Sequence, residues 1–252
     1  METTASSARP QRRRRLLIPG ILIGILLGVT AILVIYLGSY YHADDTATDA
    51  LVPTDDVNVY GVRSGVIAFE PAQYEHALIF YPGGKVEYTA YAPLLRRLAE
   101  NGVLCLLVRM PGNLAVLSPN RAKGLQELFP NVKDWWIGGH SLGGVMAASF
   151  ISTRTDTFHG LVLLAAYSTQ DLTESGLSVL SVYGTEDGVL NREQYEKHRS
   201  NLPADFTEVI LQGGCHAQFG NYGAQSGDGT PTITAEEQQA ATALAILAAM
   251  EG

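Results

Sequence analysis

The first long feature of the chain is an uninterrupted apolar run. Leu16 to Leu37, LLIPGILIGILLGVTAILVIYL, is 22 residues without a charge. As a helix rising about 1.5 Å per residue it covers roughly 33 Å, against about 30 Å for the hydrocarbon core of a bilayer. Pro19 falls in its first turn, where a missing N–H costs least. A transmembrane helix is expected over residues 16–38, followed by a polar, acidic linker over 39–56. From Val57 the pattern changes to short apolar runs that alternate with helical periodicity. Val57–Tyr60 and Val66–Phe69 predict a hairpin. His76–Tyr81, Val103–Val108, Asp134–Ile137, Leu161–Ala165, Val179–Tyr183 and Phe206–Leu211 predict strands. Tyr88–Glu100, ending at the C-cap signal Asn101-Gly102, predicts a helix. Ser118–Leu128, opening on Ser-Pro, predicts a short one. Leu142–Ser152, Asn191–Ser200 and Ala235–Met250 predict three more. Continuous apolar strands alternating with helices place residues 57–252 in the α/β class. They imply a mostly parallel, doubly wound sheet covered on both faces.

Charge divides the chain in the same way. Residues 1–15 hold five Arg and one acid, Glu2, for +4, and no charge follows until Asp44. The whole chain carries −8, so the remainder carries −12. Tyr36, Tyr40 and Tyr41 gather at the far end of the apolar run, where amphipathic aromatics favour the interface. Asp44, Asp45 and Asp49 come next, with no Lys or Arg before Arg63. The positive-inside rule then expects a cytoplasmic basic tip over 1–15 and an extracytoplasmic domain, a single-pass protein of the cell membrane. The rival reading is a cleaved signal peptide. It calls for an apolar region of about 7–15 residues, and Tyr-His-Ala ending at Ala43 is a poor cleavage site. An acidic domain argues against nucleic acid as a partner, which wants a basic face.

One string suggests chemistry. Gly139-His140-Ser141-Leu142-Gly143, within GGHSLGG, matches G-x-S-x-G. It follows a predicted strand and opens a predicted helix, the context of a nucleophile elbow that exposes a Ser hydroxyl on a sharp turn. Alone it is only moderately specific, because 26 of the 252 residues are Gly. An elbow hydrolase also needs an acid and then a His, in that order. Val179–Tyr183 leads into Gly-Thr-Glu-Asp-Gly, which puts Asp187 at a strand's C-terminal end, with Glu186 as its nearest competitor. Phe206–Leu211 leads into Gln-Gly-Gly-Cys-His, which puts His216 at the same edge. Active-site groups of open α/β sheets collect there. Ser141, Asp187 and His216 are therefore the expected triad. The oxyanion donors are expected to be the N–H of Leu142 and a second N–H from Tyr81-Pro82-Gly83-Gly84-Lys85, either Gly84 or Lys85. The predicted reaction is hydrolysis of an ester or related acyl group, with a small-molecule substrate.

With these residues in view the chain resembles an α/β-hydrolase. More specifically, it resembles the dienelactone-hydrolase-like bacterial proteins of the α/β-hydrolase family 5 type. The similar blocks are YPGGKVEYTAYAPLL (Tyr81–Leu95), VRMPGNLAVL (Val108–Leu117), GGHSLGG (Gly138–Gly144) and GGCHAQFGNYGAQSGDG (Gly213–Gly229). The resemblance covers roughly residues 57–250 and implies the same three catalytic residues. One departure is Cys215, where the family more often carries Asn. The resemblance names no substrate.

The remaining features narrow the picture. Cys105 lies mid-strand, as a small apolar residue packs, and Cys215 is not on an elbow; a pair between them is disfavoured because they belong to different strands. The six His show no metal spacing, so neither metal nor cofactor is expected. Trp135 and Trp136 read as core, and Gly227-Asp228-Gly229 as a turn. Only Ala166 to Ser178 separates two strands where many hydrolases insert a cap, so the fold is expected to lack a large cap and to favour small esters. A non-catalytic binding module, or a peptidase or acyltransferase using the same triad, are the alternatives.

Overall fold

The structure, a computed structural model, describes residues 11–252, with side chains from Leu22 onward. The chain forms two compact units, residues 1–39 and Tyr40–Gly252. In the first, α1 runs Gln11–Gly38. From Leu22 to Tyr36 its large apolar side chains are exposed. Among the described residues no helix is long and apolar enough to cross a membrane. The side chains of residues 16–21, the opening of the expected span, lie outside those described, as does most of the expected basic tip.

The second unit is built on one eight-stranded sheet among the described residues, in the order β1-β2-β4-β3-β5-β6-β7-β8. The strands are β1 (Val57–Arg63), β2 (Val66–Pro71), β3 (His76–Tyr81), β4 (Val103–Val108), β5 (Asp134–His140), β6 (Gly160–Leu164), β7 (Ser178–Gly184) and β8 (Thr207–Leu211). β1 and β2 form the expected hairpin, and β2 meets β4 antiparallel. Every pairing from β4 through β8 is parallel. Strand alternation sorts the core into two layers. Leu78 and Phe80 of β3 pack with Leu94, Leu95 and Leu98 of α3 (Ala92–Ala99) and Ile246 of α6 (Ala235–Glu251). Ala77, Ile79 and Tyr81 face the other way, toward Ala147 and Ile151 of α4 (Leu142–Ile151). The sheet is thus covered on both faces, which is why its central strands tolerate no polar alternation.

Three elements differ from their expected form. Residues 40–56, expected as a linker, pack into the second unit and carry α2 (Asp45–Asp49), capped by the Asp44 side chain. Tyr88–Glu100 opens as a 3-10 turn and becomes α-helical only at Ala92, next to Pro93, which supplies no N–H to an earlier turn. Ser118–Leu128 is not a helix; among the described residues one short 3-10 turn, Gln126–Leu128, falls within it, and another, Ala115–Leu117, ends just before it. Its backbone is taken by tertiary partners: Tyr81 Oη donates to the Pro119 carbonyl and accepts from the Ala122 N–H, both at 2.8 Å. Gly124, at φ 74°, then breaks helical geometry. β5 runs three residues past its expected end at Ile137, to His140. α5 (Arg192–His198) and α6 lie close to their expected spans. Between β6 and β7 no helix intervenes among the described residues, so no large cap stands there.

Candidate active site

Ser141 sits between the end of β5 and the start of α4, at φ 53° and ψ −124°. A non-glycine residue at such a positive φ stores of order 1–3 kcal/mol, and the surroundings must hold it. One restraint is the Ser141 N–H, which donates to the Leu164 carbonyl of β6 at 2.9 Å. The flanking glycines supply the other. A Cβ on Gly143 would drive into the carbonyl oxygens of Tyr81 and Pro82, and one on Gly139 into Tyr81 and the Gly143 backbone. The end of β3 therefore lies directly against the elbow, with no side chain between them. The first N–H groups of α4 are left without intrahelical partners and point toward this turn.

Asp187 follows β7, and His216 lies beyond β8. His216 Nδ1 is 2.9 Å from Asp187 Oδ2, and both side chains are almost wholly buried. The other Asp187 oxygen accepts from the Val189 and Leu190 N–H groups at 2.9 and 2.7 Å. Its competitor Glu186 is exposed and bonds to the Thr185 hydroxyl. A cavity of about 230 Å³ is lined by Ser141, Leu142, Val145, Ala166, Leu190 and His216, among others. Ser141 and His216 thus line one cavity, and Asp187 is bonded to His216 behind it.

The Gly83-Gly84-Lys85 turn is also settled in detail. The Gly83 N–H donates to Tyr91 Oη at 3.0 Å. The Lys85 N–H donates to the Asn113 carbonyl at 2.8 Å, which commits one of the two expected second donors elsewhere. Gly84 abuts Leu142: a Cβ there would stand 3.0 Å from Leu142 Cδ2.

Several supporting residues were not singled out as site residues from the sequence. Asp228, expected only as a turn, accepts from four backbone N–H groups: His216 at 3.1 Å, Ala217 at 2.8 Å, Gly188 at 3.1 Å and Gly229 at 2.9 Å. It joins the loop of the acid to the loop of the histidine. Burial alone would raise its carboxyl, but these N–H groups outweigh that and hold it below the usual carboxylate range. Gln238 of α6 grips Cys215 on both sides, accepting from its N–H at 2.9 Å and donating to its carbonyl at 2.8 Å. Both cysteines are buried and unpaired; burial pushes the Cys215 thiol up to about 11, which leaves it protonated at neutral pH. His140 lies beneath the triad, its ring centroid 4.4 Å from that of His216. Tyr91 Oη, already accepting from Gly83, has its own proton free for His140 Nδ1 at 2.8 Å. Burial, and then the His216 ring, hold the His140 imidazole well below its ordinary pKa, so it is neutral. The sequence signal for these residues was slight: a buried Gln or a Tyr–His contact leaves no periodic mark. Among the described residues no cluster of three or more His, Cys, Asp or Glu is placed to hold a metal ion.

Comparison with known proteins agrees with this architecture. A family model described as "Alpha/beta hydrolase family" matches residues 77–240. No curated protein matches the chain. Among solved structures, a dienelactone hydrolase from Anabaena variabilis is similar at 18% identity and a TM-score of 0.55, over 77% of this chain and 96% of that one. An esterase from Mycobacterium tuberculosis is similar at 16% identity and a TM-score of 0.56, over 82% and 96%. A membrane phospholipase A, described as a bacterial virulence factor, is similar at 12% identity and a TM-score of 0.55, over 95% and 100%. At these identities the likeness is one of fold, and the fold is the α/β-hydrolase one that the resemblance implied.

Proposed function

The chain belongs to the alpha/beta hydrolase family, and on that footing we propose that it is a serine esterase. It cleaves small carboxylic esters, lactones or thioesters through an acyl-enzyme. The observation that carries this reading is the meeting of Ser141, Asp187 and His216 in Ser–acid–His order, with the acid and the imidazole 2.9 Å apart and out of water. Ser141 Oγ attacks the carbonyl carbon while His216 Nε2 takes its proton. Asp187 accepts from His216 Nδ1–H, fixes the tautomer and stabilises the imidazolium. The N–H groups of Leu142 and Gly84 hold the tetrahedral oxyanion. Collapse breaks the bond to the leaving oxygen or sulfur, which takes the proton back from His216. Water then attacks the acyl-enzyme by the same route and restores the Ser141 hydroxyl.

The small cavity beside Ser141 and the short segment between β6 and β7 support a short acyl group. The exposed apolar surface of α1 supports the further part of the reading. Residues 16–38 anchor the chain in a membrane, with the hydrolase unit on the extracytoplasmic side.

The decisive experiment labels the full chain in membranes with a fluorophosphonate. Labelling that disappears in Ser141→Ala is the expected result. A folded protein that never labels is a binding module instead. Turnover of peptides in preference to esters moves the reaction to a peptidase. Release of the unmodified chain from membranes by carbonate washing ends the anchor reading.

A further inference from the structure

The segment just after α1 does more than connect. Tyr41 forms an isolated parallel bridge to Val86. Its N–H donates to the Lys85 carbonyl at 2.8 Å, and its carbonyl accepts from the Glu87 N–H at 2.8 Å. The Ala43 N–H donates to Glu87 Oε2 at 3.1 Å, with His42 Nδ1 3.4 Å from the same oxygen. The same few residues also grip the loop beyond His216. The Asp44 N–H donates to the Asn221 carbonyl at 3.0 Å. Tyr41 Oη accepts from the Ser226 N–H at 3.1 Å, and the Tyr41 ring lies 5.6 Å from that of Tyr222.

Lys85 is the hinge of this arrangement. It holds a positive φ of 62°, which a Lys does not adopt unaided. Its N–H donates to the Asn113 carbonyl, and its own carbonyl accepts from the Tyr41 N–H. Those two bonds fix the peptides on either side of Lys85; with the Gly83 N–H held by Tyr91 Oη, they bracket the Gly83–Gly84 peptide that carries the Gly84 N–H. We propose that Tyr41–Asp44 is a positioning strap for the active site. It locks the Gly84–Glu87 turn and ties it to the histidine loop, so the hydrolase unit is catalytically complete only from Tyr40 onward. The proposal rests on the serine-esterase reading for its catalytic part and on backbone geometry for its structural part.

The test uses the full chain and compares Tyr41→Pro, which removes the N–H given to Lys85, with Ile246→Ala, a core change in α6 outside the strap. The two are matched by thermal midpoint. The expected result for Tyr41→Pro is faster amide exchange over residues 82–90 and a kcat lowered by about tenfold or more at nearly unchanged KM. Ile246→Ala should do neither. Unchanged exchange over 82–90, or an equal kcat loss in the matched core variant, overturns the strap. Faster exchange in a protein whose wild type never labels with fluorophosphonate leaves the strap standing and removes the esterase. Should Tyr41→Pro fail to fold, Glu87→Ala takes its place, because it frees the Ala43 N–H and keeps every backbone bond.

Discussion

His216 Nδ1 and Asp187 Oδ2 lie 2.9 Å apart with both side chains almost entirely shielded from water. The other Asp187 oxygen is already saturated by two backbone N–H groups, so this carboxylate has one free direction and His216 fills it. Replacing Asp187 with Asn keeps the shape but presents an N–H to the imidazole and selects the wrong tautomer. Steady-state kinetics of Asp187→Asn should show kcat reduced by about 10³–10⁴ with little change in KM. Glu186→Gln, at an exposed site, should stay close to wild type. An equal loss in both would remove Asp187 from its role.

Gly84 offers a second handle. A methyl group there meets Leu142 Cδ2 at 3.0 Å, so the Leu142 side chain or the turn must give by a few tenths of an ångström. Gly84→Ala should forfeit one oxyanion donor, about 2.7–4 kcal/mol in the barrier, read as a fall in kcat. Retained kcat in this variant would mean that the second donor lies elsewhere.

Asp228 predicts a pH dependence of stability. Its carboxyl is held below the ordinary range in the folded state. Its contribution is therefore fully present above the unfolded value, about 3.9, and is lost as pH falls through the lower folded value. Asp228→Asn should have a lower thermal midpoint than wild type at pH 7, and the gap should narrow as the pH falls below about 3.9. A gap that stays constant across that range would show that the charge of Asp228 contributes nothing. The variant should also lose kcat, because the amide turns an N–H toward that of Ala217.

Chain-length preference follows from the cavity. At about 230 Å³, walled by Val145, Ala166 and Leu190, it accepts a short acyl chain. Short-chain p-nitrophenyl esters should turn over faster than long-chain ones, and Leu190→Ala should shift the optimum to longer chains. A wild-type optimum at long chains would place the acyl group outside this cavity.

How much of this was legible beforehand follows from what leaves a local mark. The central strands were readable because both of their faces are buried, and the elbow because glycines must stand where backbones touch. Asp187 and His216 could be singled out because each lies in the loop that leaves a strand's C-terminal end. The false helix at Ser118–Leu128 shows the converse. Its capping signal was sound, but Tyr81, from a distant strand, took the backbone groups that the helix needed. Asp228, Gln238 and the Tyr91–His140 pair were hidden for the same reason, since their partners lie far along the chain. The strap was missed because a polar, acidic stretch looks the same whether it hangs free or pairs with Val86.

The contact between Gly143 and the Tyr81 and Pro82 carbonyls has a wider consequence. Tyr81 and Gly139 are register partners on adjacent parallel strands. Ser141 and the Gly83–Lys85 turn, each just past those partners, are therefore set apart by the repeat of the sheet itself, about 4.8 Å between neighbours. That spacing is as invariant as a ruled grid. Loops around the pocket are then free to diverge in length and composition and to retune substrate choice, while the distance on which bond-breaking depends is inherited unchanged.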